Sequence, residues 1–203
     1  MSTRMRGSAT RRGQACQHPA PRRAFHAKLD GMSSDPTRRI VILRHAKAEW
    51  SDVDDHERPL ADRGRKDAPV AGRWLAGSGV TPDLALCSTS ARTRETWKLA
   101  VPELPERPRT VYEERMYEAS LGELIALVNE VSDEVSDLVL IGHNPGMHAL
   151  ADALAGESDG DLLPRMNRSG FPTSAIAVLT FTGSWKAVEH GVGRLVAFWA
   201  PHA

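Results

Sequence analysis

The chain has 203 residues, 26 Lys+Arg against 26 Asp+Glu, 41% hydrophobic residues and two cysteines. At about 150 residues per domain that is one domain with a remainder, and the apolar share is enough for a core, which excludes a wholly disordered chain. No apolar run approaches the roughly 18 residues of a membrane helix, and Cys16 and Cys87 are too few for a disulfide framework; a cytoplasmic protein without a membrane partner is expected.

The balanced charge conceals an asymmetry. Residues 1–36 carry seven cations (Arg4, Arg6, Arg11, Arg12, Arg22, Arg23, Lys28) against Asp30 and Asp35, or +5, which leaves 19 cations against 24 anions, or −5, on the other 167 residues. The first 36 residues have neither a helical nor a strand period and hold three prolines and three glycines, so they read as a basic, disordered extension. Three accounts of it stay open: a nucleic-acid-binding arm, a targeting peptide, or a translation start that really lies at Met32. Nucleic acid is expected as a partner only through this arm. The folded domain is expected over 37–203.

In chain order, RRIVILR (38–44) reads as a buried strand of a parallel sheet. A loop with Glu49, Asp52, Asp54, Asp55 and Glu57 follows, and DVDDHE (52–57) reads as solvated, since it lacks the glycine and terminal glutamate of a calcium loop. Residues 64–78 place Ala68, Ala71, Trp74 and Leu75 on one helical face, with Pro69 expected to kink or delay the helix. Asp83–Cys87 is a second strand, Ser90–Val101 a helix stopped before Pro102, and Thr110–Tyr112 a third strand. Ser120 and Glu123 form a capping box for a helix with apolar positions 121, 124, 125, 128 and 131. DLVLIG (137–142) is a strand. Asn144, Pro145 and Gly156 bracket a helix that buries Met147, Leu150, Ala151 and Leu154. Ser174–Thr182 and Arg194–Trp199 are strands, with a turn at 182–184. The fold class is α/β: a three-layer sandwich, a mainly parallel sheet with helices on both faces and one antiparallel strand at its end.

Ligands of open α/β sheets bind outside the carboxyl ends of the strands. The first strand ends in Arg44-His45, the second leads into STSARTRET with Arg92 at a helix start, and the fourth ends in Gly142-His143-Asn144-Pro145-Gly146. Two histidines and two arginines therefore point at one edge. Guanidinium forks match phosphate oxygens, a helix N-terminus favours an anion, and a neutral imidazole is a usable nucleophile near pH 7. The set implies phosphoryl transfer through a phosphohistidine, with no metal and no cofactor.

VILRHAKAEW resembles the RHG signature of the histidine phosphatase superfamily, which contains phosphoglycerate mutases and acid phosphatases. RPLADRGRKDA resembles its PLT-x-x-G-x-x-x-A segment, STSARTRET its S-P-x-x-R-x-x-x-T segment, and LIGHNPG its second-histidine motif. FPTSAIAVL is similar to the small bacterial SixA-like phosphohistidine phosphatases. The resemblance covers roughly residues 39–182 with its motifs in order. It implies a phosphoglycerate mutase-like fold, with His45 as nucleophile, Arg44 and Arg92 as phosphate ligands, and His143 binding phosphate and stabilising the transition state. Asn144 and Ser88 would support the pocket.

The chain departs from the pattern in two places. Ala46 stands where the signature has glycine, which keeps room but narrows backbone freedom. KAEW does not reproduce the S/T-x-x-N extension of the mutases. The mutase-like acid falls in EERMYEAS (113–120), with Glu114 the first candidate and Glu118 the second. A poor acid favours phosphohistidine as substrate, because a protonated phosphoramidate nitrogen leaves more easily than an alkoxide. A body without large insertions implies an open pocket suited to a phosphorylated side chain of another protein. The alternatives are a phosphatase or mutase of small phosphoesters and a weakly catalytic phospho-binding module. His143 and His148, five apart, lie on different helix faces and do not form a paired metal site. Neither a G-x-S-x-G nor a P-loop is present. The five tryptophans are spread along the chain, and the Asn167-Arg168-Ser169 sequon has no other sign of secretion beside it.

Overall fold

The computed structural model describes residues 35–50 and 52–202, so nearly all of the basic extension lies outside the described residues. The strands are β1 (Thr37–Arg44), β2 (Leu84–Ser88), β3 (Arg109–Glu113), β4 (Asp137–Gly142), β5 (Ala155–Ser158), β6 (Ile176–Thr182) and β7 (Gly193–Trp199). The helices are α1 (Asp62–Gly77), α2 (Ala91–Ala100), α3 (Leu121–Asn129), α4 (Gly146–Leu154) and α5 (Leu162–Ser169). One sheet runs β3-β2-β4-β1-β6-β7-β5. Four strand pairs are parallel, and β6 is antiparallel to both β1 and β7.

Strand side chains alternate between two buried faces, as a doubly covered sheet requires. Val41, Leu43, Ala85, Cys87, Val139 and Ile141 meet Ala71 and Leu75 of α1 and Trp97 of α2 on one side. Ile40, Ile42, Leu84, Leu138 and Leu140 meet Leu124, Leu127 and Val128 of α3 and Leu150 of α4 on the other. The three-layer architecture expected from the sequence is thus present.

Several local expectations need correction. Helix α1 starts at Asp62 and continues through Pro69. The residue whose carbonyl loses its amide partner there, Arg65, is exposed, where water can satisfy it. The antiparallel strand is not the last one: β6 lies inside the sheet, and β7 turns back to run parallel with β5. Thr182–Ser184 opens a longer connection, because Trp185 is buried with its indole Nε1–H donating to the Val135 carbonyl at 2.7 Å. Gly156 caps nothing; it lies in the edge strand β5, where a Cβ would sit 2.1 Å from the Gly191 carbonyl oxygen. Trp74 and Trp199, far apart in sequence, stack with centroids 5.7 Å apart. The capping box of Ser120 and Glu123 forms as expected.

Gly64 shows why the PLADRG segment matters. Its Cβ position is 2.2 Å from the Lys47 carbonyl oxygen, and that oxygen accepts from the Ala61 N–H at 2.9 Å. The start of α1 therefore rests directly on the backbone that follows His45. Gly64→Ala is expected to cost about 2–3 kcal/mol in urea unfolding, since the clash is with backbone and cannot be relieved by a rotamer change. An unchanged midpoint would show that the helix can shift freely.

Candidate active site

The strand order explains how distant residues meet. β1 and β4 are parallel neighbours with Arg44 opposite Gly142, and the His45 N–H donates to the Gly142 carbonyl at 3.0 Å. Both chains leave the sheet at their carboxyl ends there, and the His45 and His143 rings come within 5.3 Å, centroid to centroid. β2, on the other side of β4, delivers Ser88, whose hydroxyl is 2.8 Å from His143 Nε2. Arg92 lies in the first turn of α2 and is buried. Thr96, one turn further, accepts the Ala46 N–H at 2.9 Å, and Glu95 accepts the Leu60 N–H at 2.9 Å. The motifs interlock through hydrogen bonds from backbone N–H groups to the side chains of α2. Ala46 is fully buried, so the alanine is accommodated where the signature carries glycine.

Residues 170–175 act as a strap across Arg44-His45. The Arg44 guanidinium donates to the Phe171 carbonyl at 2.9 Å, the Arg44 N–H donates to Ala175 at 3.0 Å, and the Ser174 N–H donates to the His45 carbonyl at 3.1 Å. Asn144 Nδ2 donates to the Gly170 and Phe171 carbonyls at 3.1 and 3.0 Å. Asn144 therefore fastens the strap rather than capping α4, whose N-cap is Pro145. Phe171 (φ 51°) and Ser174 (φ 62°) are left-handed without being glycine, a cost that surrounding structure must offset. Among the described residues, five buried side-chain atoms lack a hydrogen-bond partner, and four of them are here: Arg44 Nε, His143 Nδ1, Asn144 Oδ1 and Ser174 Oγ. Native interiors leave few such groups, and they collect at functional sites.

His45 Nδ1 is 2.7 Å from the Ala46 carbonyl. A carbonyl can only accept, so Nδ1 carries the proton and Nε2 keeps its lone pair. Burial, and then the cations Arg92 and Arg44, push the His45 pKa down to about 4. Burial, His45 and Arg92 push His143 down to about 3. A lowered imidazole pKa favours the neutral ring, so the nucleophilic form persists well below the ordinary histidine range. Turnover is expected to show no acid limb near pH 6.5 from His45, after correction for substrate titration, and to fall only as pH approaches 4. A kcat/KM profile with an enzyme limb near 6.5 would contradict this environment.

The loop before α1 holds a residue the sequence reading missed. The carboxylate of Asp55 accepts from Arg92 Nη2 at 2.8 Å, from Arg58 at 2.8 Å and from the Tyr117 hydroxyl at 2.7 Å, and its backbone carbonyl accepts from Arg92 Nη1. The Tyr117 hydrogen bond, then those of the two arginines, hold Asp55 well below the usual carboxylate range. Asp55 is exposed, as expected of a solvated loop, and it also anchors one edge of the Arg92 fork. Only its place in an acidic loop marked it, and nothing in the spacing connects it to Arg92. Tyr117 also stands edge-on to His143, with centroids 5.5 Å apart. Glu114 begins a 3-10 turn, is exposed, and lines neither cavity at the site; Glu118, the second candidate, lines the larger one. Among the described residues, no group of three or more His, Cys, Asp or Glu could hold a metal ion. No helix among them is long and apolar enough to cross a membrane.

The comparisons agree with this geometry. A model of the histidine phosphatase superfamily (branch 1) matches residues 40–169. An uncharacterized protein of Mycobacterium tuberculosis is 42% identical over 162 residues, covering 78% of this chain and 99% of that protein. The chain is similar to a solved structure of a proposed phosphohistidine phosphatase SixA from Nakamurella multipartitia, at 30% identity and TM-score 0.73, covering 83% of this chain and all of that one. A second proposed phosphohistidine phosphatase SixA, from Agrobacterium tumefaciens, is 36% identical with TM-score 0.69 and the same coverage. Motif order, sheet topology and the paired histidines lead to one assignment: the chain belongs to branch 1 of the histidine phosphatase superfamily.

Proposed function

We propose that the chain is a metal-independent phosphatase that forms a covalent phosphohistidine on His45 and removes phosphate from phosphohistidine in a protein. The observation that carries this reading is a neutral His45 with its Nε2 lone pair free, 5.3 Å from His143 and flanked by Arg44 and Arg92. In the proposed reaction Nε2 attacks phosphorus, and the two guanidinium groups with His143 stabilise charge on the transferring oxygens. Those cations supply the charge that a metal ion supplies elsewhere.

Two points favour a phosphorylated nitrogen as substrate. Asp55, the carboxylate on Arg92, is held ionised and so is a poor proton donor to an alkoxide leaving group. The two proposed SixA phosphatases, both at or above 30% identity, are described as phosphohistidine enzymes. Hydrolysis of small phosphoesters is the second reading, and the position of Glu118 on the larger cavity is what favours it.

The test is phosphate release in the presence of a chelator from a phosphohistidine protein, a phosphoserine peptide and an aryl phosphate. The proposal expects chelator-resistant turnover that is fastest on the phosphohistidine protein. A preference for the phosphoester, lost in Glu118→Gln, would select the second reading; chelator-sensitive turnover would reject the mechanism.

A further inference from the structure

Two cavities meet at the candidate site, and Arg92 is the residue that lines both. The smaller, about 240 Å³, holds His45 with the cations Arg44, Lys47 and Arg58 and no acid. The larger, about 440 Å³, has an apolar floor of Met116, Leu124 and Met147, with Tyr117, Asp55 and Glu118 around it. His143, whose Nδ1 is buried without a partner, lines the larger cavity, and His45 does not.

In-line transfer puts the nucleophile and the leaving atom on opposite sides of phosphorus. A phosphoryl group held at Arg92 thus has His45 on the smaller-cavity side and its leaving group on the other. Of the two acids there, Asp55 is already paired with Arg92 and Arg58. Glu118 is exposed and makes no ion pair among the described residues, and its backbone is left-handed (φ 55°).

We propose that the larger cavity is the leaving-group subsite, and that Glu118 on its rim selects phosphorylated nitrogen set among positive charges: a phosphohistidine segment with lysine or arginine neighbours. This rests on the phosphohistidine reading and adds the character of the partner. As Nε2 of His45 bonds to phosphorus, the P–N bond breaks and its electron pair stays on the leaving nitrogen. The substrate reacts as its phosphoimidazolium form, protonated from solvent on the other ring nitrogen, so the group that leaves is a neutral imidazole and not an imidazolide anion. Water then attacks the phosphorus, phosphate departs with the excess proton passing to solvent, and the Nε2 lone pair is restored. The histidine side chain is smaller than the cavity, so the flanking residues of the segment reach the rim.

The experiment uses the full chain and two phosphohistidine peptides that differ only in the residues flanking the histidine, lysine on both sides or glutamate on both sides. The wild type is expected to prefer the lysine peptide by about tenfold in kcat/KM, carried by KM and weakened by salt. Glu118→Gln should reduce the preference to about two- or threefold, and Glu118→Lys should reverse it. Glu118 is exposed, so both variants are expected to fold. Turnover of both peptides with the same ratio in all three proteins would overturn this inference and leave the phosphatase reading intact. Absence of turnover of either peptide by the wild type would overturn the phosphohistidine reading and this inference with it.

Discussion

Replacing His45 with alanine is expected to lower kcat on every substrate by at least about a thousandfold, because the step that accepts the phosphoryl group has no second route. Binding should survive. Arg44 is held by the Phe171 and Ala175 carbonyls, and Arg92 by Asp55, so neither depends on the His45 ring for its position. Inorganic phosphate measured by calorimetry should bind His45→Ala within about threefold of the wild type, since a neutral imidazole adds little Coulombic attraction to the site. Turnover within tenfold of the wild type would remove His45 as nucleophile. Loss of phosphate binding would instead place the ring in the ground-state anion site.

Arg92→Ala is expected to lower kcat/KM by about a hundred- to a thousandfold, the scale on which removal of one preorganised group at a developing charge is felt. Arg92 is nearly buried, with two of its N–H groups on Asp55, so the fork is oriented before substrate arrives. Arg92→Lys should recover only a small part of the loss, because an ammonium cannot hold both the Asp55 anchor and two phosphate oxygens. Asp55→Asn tests the anchor: it keeps the shape but removes the charge, and about a tenfold loss in kcat is expected. Steady-state kinetics on one substrate separates these cases. Equal activity for Arg92→Ala and the wild type would show that Arg92 serves folding alone.

Much of the fold was legible because both periodicities were strong. The β-branched run ending at Arg44 and the DLVLIG run became β1 and β4 with their expected bounds shifted by at most a residue. Arg44, His45 and His143 were legible because they stand at or just past the carboxyl ends of β1 and β4, and Arg92 because it opens the helix after β2; their convergence then follows from β4 lying between β1 and β2. That order is not written in local periodicity, which is why 5.3 Å between two rings 98 positions apart could be stated only from the structure. β5 and α5 were missed: β5 is a four-residue edge strand paired only to β7, and α5 has Met166 as its one buried residue. Asp55 and Tyr117 were missed for a related reason. They reach the site from connecting segments, where a side chain's neighbours are set by packing and not by spacing along the chain. Of the two acid candidates, the turn at 114–116 and the left-handed Glu118 present residue 118, not 114, to the cavity.

The most direct test is to quench the chain during turnover of a phosphohistidine protein at alkaline pH, where phosphohistidine survives, and to map the phosphoryl group by mass spectrometry. Recovery on the peptide that contains His45, absent from His45→Ala and increased in His143→Ala where hydrolysis of the intermediate is slowed, is the expected result. Full turnover with no phosphoryl group on His45 at any time point, or the group on another residue, would contradict a covalent mechanism through His45.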